Sequence, residues 1–232
     1  NIPWPGCASP RVAVNVNVAA PPPIDLGTTQ ITSPVVSVPA AVSQAVNVKI
    51  KNYGLTALTS ANVNYQIDNG SVNTFAWTAT PALAFDSTKI VTVANLAFAP
   101  GLHKIKAWTS QPNNIQDTIA VNDTVSVSFL ASLHGTYSIG DTTGGVQKDF
   151  PSFTSAIQAL TIAGVSDAVI FLADTGTYTE QIRIPQIYGA DANKTITFRS
   201  ANNDSTKVKL QFAATSAANY IVKLDSADYI RF

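Results

Sequence analysis

Short segments in which apolar and polar residues alternate run through this chain. In residues 45–52 every second position is apolar, at Val46, Val48 and Ile50. A period of two places such side chains on one face of an extended strand. Comparable segments, bounded by turn residues, follow at 61–68, 71–78, 89–93, 102–109 and 123–129. Strands at this spacing, with no helical period among them, predict an all-β fold with a β-sandwich over residues 24–131.

The dipeptide Asn69-Gly70 separates two of these segments. Both central residues of a type I′ hairpin turn need a positive φ angle, which Asn and Gly adopt readily. We therefore expect a hairpin that turns at Asn69-Gly70. With Ser71 the same residues also fit an N-glycosylation acceptor, but the hairpin accounts for them fully.

The first 20 residues have the pattern of the end of another domain. Residues 11–18 alternate strictly and predict one strand with a valine face, and three prolines follow at 21–23. One strand cannot bury its face alone, and a triple proline is a stiff linker. We assign residues 1–20 to the last strand of a truncated immunoglobulin-like domain and residues 21–23 to a proline linker.

Cys7 is the only cysteine in the chain. Two interpretations remain open: a free thiol, or one half of a disulfide whose partner lies upstream of Asn1. A single cysteine left over in an exported chain is a reason to consider the second.

Later in the chain the period changes from two to that of a helix. Phe153, Ile157 and Leu160 form one apolar helical stripe. Ser152 is placed to cap the N-terminus of this helix and Gly164 to end it. The sequence therefore predicts one helix between these two residues.

Short alternating segments follow the helix, at 168–172, 181–184, 195–200, 207–212, 220–224 and 229–232. A helix followed by such rungs predicts a parallel β-helix over residues 132–232, with the helix capping the N-terminal end of the stack. A stack of about two coils has a bare edge that invites aggregation. We therefore expect more coils after Phe232 in the native protein.

Composition narrows the range of partners. Charged residues make up 12% of the chain, the formal net charge is zero, and the Lys and Arg residues are scattered. Nucleic-acid binding needs a basic face, so we expect no nucleic-acid partner. No apolar run reaches the length of a membrane span, so we expect no direct membrane insertion. The chain has no Met, which indicates processing or excision.

Residue types that carry catalysis are scarce. The only histidines are His103 and His134, and Glu180 is the only glutamate. Nucleophilic catalysis needs a base oriented beside the nucleophile, and glycosidases need two carboxylates that flank the bond. We therefore predict no catalytic residues and no cofactor.

Two further groups of side chains have the residue types of a functional site. Arg183, Arg199 and Arg231 recur on the rungs, faintly like the arrangement in a polysaccharide lyase, but alternation places them on outward faces. Asp174 could stack near the acidic residues at 225 and 228 as calcium ligands, although solvated turn carboxylates explain them as well. We predict no metal site.

Three parts of the chain resemble known families. Cys7-Ala-Ser-Pro-Arg11-Val-Ala-Val is similar to the closing strand of immunoglobulin-like repeats in large Bacteroidota surface proteins. Residues 46–54 with their Lys-Asn-Tyr-Gly turn, residues 101–108 and Asn122-Asp-Thr resemble a CARDB-like adhesion domain. The second half of the chain resembles the opening of a pectin-lyase-like right-handed β-helix, at residues 135–140, 150–157, 176–182 and 225–232.

These resemblances imply a multidomain protein exported by the type IX secretion system and located outside the cell or on its surface. Such proteins serve as adhesins or in gliding motility. The sandwich would be a spacer or binding module, and the β-helix a presentation scaffold. The implied partner is a surface polysaccharide, a protein ligand, or the secretion or motility machinery.

The same resemblance implies O-glycosylation at Asp followed by Ser or Thr and then an aliphatic residue, Thr or Ala. The motif occurs at Ser87, Thr118, Thr124, Thr142, Ser205 and Ser226. Asp-Ser and Asp-Thr are also ordinary turn sequences, so both interpretations remain open.

Two alternatives to a non-catalytic surface segment remain. The chain could be the N-terminal part of a carbohydrate-active β-helix enzyme, a polysaccharide lyase or hydrolase, with its active site downstream of residue 232. It could also be cargo captured in a secretion assembly. Fold by itself does not decide among these functions.

Overall fold

A computed structural model describes residues 20–117, 119–141 and 147–232. Within these residues the chain is mostly β-structure, and α1 (Phe153–Ala163) is the one α-helix, so the all-β prediction is confirmed. The strands are β1 (Leu26–Ser33), β2 (Ser37–Pro39), β3 (Ser43–Asn52), β4 (Leu58–Ile67), β5 (Val72–Leu83), β6 (Thr88–Ala97), β7 (Gly101–Ser110), β8 (Thr124–Ile139), β9 (Val165–Ala173), β10 (Gly176–Thr179), β11 (Ile182–Pro185), β12 (Ile196–Ser200), β13 (Val208–Gln211), β14 (Val222–Asp225) and β15 (Ile230–Arg231).

Two antiparallel sheets pack face to face in the first half of the chain. One contains β1, β3 and β6, and in the other the strand order is β5-β4-β7-β8. Alternate residues face inward, so that Val46, Val48 and Ile50 of β3 are fully buried. Side chains from both sheets, including Ile50 of β3 and Phe129 of β8, meet in one core. This arrangement is the β-sandwich that the alternation predicts.

Strand β1 is not predicted by the local sequence pattern. Its pairing with β3 has register shifts between Thr28 and Gln30 and between Ile31 and Ser33. Each shift is a β-bulge or irregularity, which breaks the strict alternation on which the prediction relies. The strand forms because β3 supplies an antiparallel partner.

The hairpin between β4 and β5 forms as expected, but its turn lies one residue earlier than predicted. Asp68 and Asn69 have φ angles of 48° and 60°, and Gly70 N–H donates to the Ile67 carbonyl at 2.7 Å. Asp and Asn tolerate this left-handed conformation. Asp68 is held there because its carboxylate accepts the backbone N–H of Lys104 at 2.7 Å.

In the second half, strands pair in parallel with strands that come one turn later in the sequence. β9 pairs with β12, β10 with β13, β11 with β14, and β12 with β15. The order β9-β10-β11 is thus repeated as β12-β13-β14, with each strand beside its counterpart. Phe171, Ile184 and Phe198 lie in a second core formed by these turns. We call β9 to β15 the C-terminal stack; its assignment to a β-helix is taken up below.

Helix α1 begins and ends where the sequence predicts. Ser152 Oγ accepts from the Ser155 backbone N–H, and Ser155 Oγ accepts from Ser152 N–H, which completes a capping box. Gly164 follows with a φ angle of 61° and donates its N–H to the Leu160 carbonyl. The apolar stripe of the helix, which includes Leu160, is buried in the second core.

Strand β8 is longer than the sequence predicts. The alternating pattern ends near residue 129, but the strand continues to Ile139. Its first part pairs with β7 and its second part with β9, so the sheet continues from one half of the chain into the other. His134 lies within this strand.

Candidate functional site

Three carboxylates that are distant in sequence lie together at one end of the sandwich. We call Asp25, Asp117 and Asp123 the acidic cluster. Asp117 accepts the backbone N–H of Leu26 at 2.8 Å, which fastens the loop after β7 to the start of β1. Asp25, only 4% exposed, accepts Asn122 Nδ2–H at 2.8 Å. A cleft of about 280 Å³ opens beside the two carboxylates at 117 and 123.

The acidic cluster holds a proton more tightly than isolated carboxylates do. Burial, with the negative charges of Asp117 and Asp25, raises the pKa of Asp123 from 3.8 to about 7. Burial also raises the pKa of Asp25, against the hydrogen bond from Asn122. Asp123 Oδ1 is buried and has no hydrogen-bond partner. Asp123 is therefore about half protonated near pH 7 and largely neutral below it.

The acidic cluster was missed by the sequence analysis, because its members are separated by up to about a hundred positions. The one nearby signal is the Asn122-Asp-Thr motif, which the analysis treats only as part of a family resemblance. Among residues 20–117, 119–141 and 147–232, no group of three or more His, Cys, Asp or Glu side chains could hold a metal ion.

Two of the three carboxylates considered for calcium form ion pairs with basic side chains. Asp174 lies 2.7 Å from Lys148 Nζ. Asp225 accepts Arg183 Nε–H at 2.6 Å, and this hydrogen bond and the positive charge of Arg183 lower the pKa of Asp225. Arg183 is outward-facing, as predicted, but it is paired across β11 and β14 rather than only solvated. Asp174 and Asp225 are therefore each paired with a basic side chain.

His103 ties three parts of the sandwich together. Its Nδ1 lies 2.6 Å from Asp68 Oδ2 and its Nε2 lies 2.7 Å from the Ala99 carbonyl. The ring also packs against Phe98 and Phe129, with centroids 5.3 and 5.6 Å away. Both acceptors are satisfied together only when both ring nitrogens carry protons. The contacts make His103 a tether between the β4–β5 turn and the loop before β7.

The pKa of Asp68 responds to the same contacts. Burial raises it, but the hydrogen bonds from Lys104 N–H and His103, together with the charge of His103, hold it below its ordinary value. The contribution of Asp68 to stability is therefore present above its unfolded pKa and is lost as pH falls through the folded pKa.

Glu180, the only glutamate, lies at the N-terminus of α1. It accepts the backbone N–H groups of Phe153 and Thr154 at 3.2 and 2.8 Å, and the Thr154 hydroxyl at 2.6 Å. These are first-turn N–H groups that a helix cannot satisfy internally, and a negative charge is favourable there. Glu180 thus docks the helix onto the C-terminal stack.

Aromatic rings from successive turns of the C-terminal stack lie nearly parallel, one against the next. The Phe198 ring lies 4.8 Å from that of Phe171 and 5.6 Å from that of Phe232, with interplanar angles of 14° and 17°. Beside them, a cavity of about 450 Å³ is lined mainly by apolar side chains such as Val208 and Leu210. Phe232 is 66% exposed. This end of the stack therefore exposes apolar surface.

The residues considered for O-glycosylation differ in exposure. Thr124, Ser205 and Ser226 are exposed, while Ser87 is half-buried. The Ser87 backbone is engaged on both sides, since its carbonyl accepts from Asn52 and its N–H donates to Ala84. The other residues considered, Thr118 and Thr142 for glycosylation and Cys7 for a disulfide, lie outside the described residues.

No protein-family model and no curated protein sequence matches this chain. Several solved structures are similar to it in part. One is the CARDB domain of a Pyrococcus furiosus protein in complex with di-metal ions, with 22% identity, a TM-score of 0.39, and coverage of 53% of this chain and 100% of that domain.

Two others are more distant. A domain of a Methanosarcina acetivorans protein, provisionally described as a cell-surface protein, has 19% identity and a TM-score of 0.36, and covers 48% of this chain and 96% of that domain. A β-glucosidase from Listeria innocua in complex with glucose has 17% identity and a TM-score of 0.26, over 46% of this chain and 16% of that enzyme. The sandwich assignment rests on the strand pairing and the core described above.

In the described parts of the chain, no helix combines the length and the apolar character that a membrane span requires.

Proposed function

We propose that the chain is a non-catalytic segment of a large secreted or cell-surface protein. The sandwich serves as a spacer or binding module, and the C-terminal stack presents a binding surface. The observation that carries this proposal is the architecture itself: an antiparallel sandwich is joined through one strand to a stack of parallel strands. Extended all-β assemblies of this kind hold surfaces apart and present them.

The second half is proposed to be the start of a right-handed parallel β-helix. Support comes from the repeated order of strands, each beside its counterpart one turn later. α1 packs against β8 and β11 and buries its apolar stripe, as a terminal cap of a solenoid does.

The use of the titratable side chains supports a non-catalytic role. His103 and Glu180, which the sequence analysis weighed for catalysis, form contacts that hold a turn and a helix in place. Arg183 is paired with Asp225 across two strands. A catalytic group must instead face a reacting atom from a cleft.

The finer identity is also a proposal. We infer a CARDB-like sandwich in a Bacteroidota protein that is exported by the type IX system and acts as an adhesin or in gliding motility. The partner would be a surface polysaccharide, a protein ligand, or the secretion or motility machinery.

The cellular location of the protein and its activity on polysaccharides test the proposed role. Antibodies against the purified chain should label intact source cells or the culture medium, and labelling only after permeabilisation would argue against a surface role. The chain should release no reducing ends and no unsaturated products from neutral or acidic polysaccharides. Release of either would favour the enzyme alternative.

Intact-mass measurement on natively purified protein tests the proposed O-glycosylation. We expect a mass above that of the bare polypeptide, with the added mass mapped to exposed motif residues such as Thr124 or Ser205. The bare polypeptide mass alone would refute the modification and leave the surface role standing.

A further inference from the structure

We propose that β8 couples the sandwich and the C-terminal stack into one rigid body, so that the sandwich fixes the direction in which the stack points. Linkers between domains are usually exposed segments with few contacts, and relative motion is the ordinary expectation. The junction in this chain is a buried strand instead. The coupling is a property of β8 and does not depend on the surface role proposed above.

The backbone pairing of β8 leaves no linker. Residues 124–131 of β8 pair with β7, ending at Ala131 opposite Gly101. Pairing with β9 begins at Leu133. Only Ser132 lies between the two sets of pairs, so the sheet passes without a gap from one half of the chain to the other. The predicted domain boundary between residues 131 and 132 thus falls inside a continuous strand.

The residues at the junction are fully buried. Ala131 belongs to the core of the sandwich and Leu133 to the second core, and both are 0% exposed. Ser132 is also 0% exposed, and its Oγ lies 2.7 Å from Ser37 Oγ. The backbone carbonyl of Ser132 accepts the Ala40 N–H at 2.8 Å. Bending the strand here would open both cores and break these hydrogen bonds.

Contacts on both sides of β8 restrain twisting. β2 pairs with β8 in parallel over residues 130–132 and also contacts β9. On the other side α1 contacts β7, and the turn after α1 accepts the Leu133 N–H through the Gly164 carbonyl at 3.0 Å. An element of each half therefore reaches across the junction to contact the other half.

A bulge inside β8 sets the angle between the two halves. The register with β9 shifts between Leu133 and Gly135, and Gly135 has a φ angle of 75°, which glycine adopts at little cost. A bulge bends and twists its strand by a defined amount. The change of direction is therefore built into paired backbone rather than into a loop.

Distance measurement between spin labels on the full chain tests the proposal. With Cys7→Ser as background, Ala76→Cys and Thr177→Cys place labels on exposed positions of β5 and β10. We expect one narrow distance distribution, as narrow as that of an Ala76→Cys and Lys104→Cys pair within the sandwich. A cross-junction distribution that is much broader than the within-sandwich pair would overturn the proposal.

Matched insertions give a second test. Gly-Ser-Gly-Ser placed between Ser132 and Leu133 should broaden the cross-junction distribution by several ångströms, because four flexible residues span about 11 Å. The same insert between Asn69 and Gly70 should leave it narrow. An unchanged distribution with the junction insert would also refute the coupling. If the junction variant does not fold, the comparison of the two label pairs in the uninserted chain still decides.

Discussion

The environments of single residues explain features that their identities alone do not. Asn52 is fully buried at the end of β3, where Nδ2 donates to the Thr56 and Leu83 carbonyls and Oδ1 accepts the Gly54 N–H. A side chain at position 54 would collide with the backbone of Asp25, since its Cβ would lie 2.5 Å from that residue's nitrogen. The Lys-Asn-Tyr-Gly turn is thus required by packing.

Asp123 shows the opposite case, in which a residue costs stability. Its folded-state pKa of about 7 lies above its ordinary value of 3.8. Between these two values the folded state binds a proton that the unfolded state has released, so stability falls as pH rises from about 4 to about 7. Above pH 7 the charged carboxylate faces Asp25 and Asp117 within the acidic cluster.

We predict that Asp123→Asn stabilises the protein at pH 8. Solvent screening at this partly exposed site limits the gain to about 1 kcal/mol, or about 2–4 °C in Tm. At pH 5, where Asp123 is largely protonated, the gain should be much smaller. Thermal unfolding followed by circular dichroism at both pH values measures the difference.

The control for this prediction is Asp167→Asn, at an exposed position away from the acidic cluster. It should have little effect at either pH. An Asp123→Asn variant that is equally stabilised at pH 5 and pH 8, or destabilised at pH 8, would contradict the titration of Asp123 in the folded state.

At the scale of elements, α1 depends on a residue outside itself. Its capping box comes from the local sequence, but Glu180 reaches its first turn from the loop between β10 and β11. The helix is eleven residues long, a length that is marginal in isolation. Its stability therefore comes from docking and from the burial of Phe153, Ile157 and Leu160.

Glu180→Ala should destabilise the second half by about 1–2 kcal/mol, because it removes an N-terminal acceptor and a favourable charge. Glu180→Gln keeps one acceptor oxygen and should lose less. Hydrogen exchange at the Phe153 and Thr154 amides measures the effect directly. Thr177→Ala on the exposed face of β10 is the matched control, and equal protection of α1 in all three variants would refute the docking role.

At the scale of the whole molecule, two cores share one strand. The first core lies between antiparallel sheets, and the second is enclosed by parallel strands that return once per turn. In the second core the ring of Phe198 lies between those of Phe171 and Phe232, so this side chain links its own turn to the turns before and after it. Removing this ring should therefore lower the stability of the whole C-terminal stack.

We predict that Phe198→Ala costs about 3–5 kcal/mol, as for a large side chain removed from a packed core. Phe232→Ala should cost much less, since that ring is 66% exposed. Phe198→Leu, which keeps most of the volume, should lie between them. Urea unfolding followed by far-ultraviolet circular dichroism ranks the three variants, and a cost for Phe232→Ala equal to that for Phe198→Ala would contradict the stacking order.

The sequence alone determined those features that depend on local periodicity and on capping chemistry. Val46, Val48 and Ile50 alternate as a half-buried strand must, and Ser152 and Gly164 mark both ends of α1. The Asn69-Gly70 dipeptide located the hairpin to within one residue. These features were predictable because neighbouring residues determine them.

Only the tertiary structure decided which strands pair, where β8 ends and which carboxylates meet. β1 forms despite its bulges because β3 lies beside it, and β8 continues past residue 129 because β9 provides a new partner. Asp25, Asp117 and Asp123 form one cluster because the loop after β7 folds back onto β1. Contacts between distant residues depend on the packing of the whole chain, and no local pattern records them.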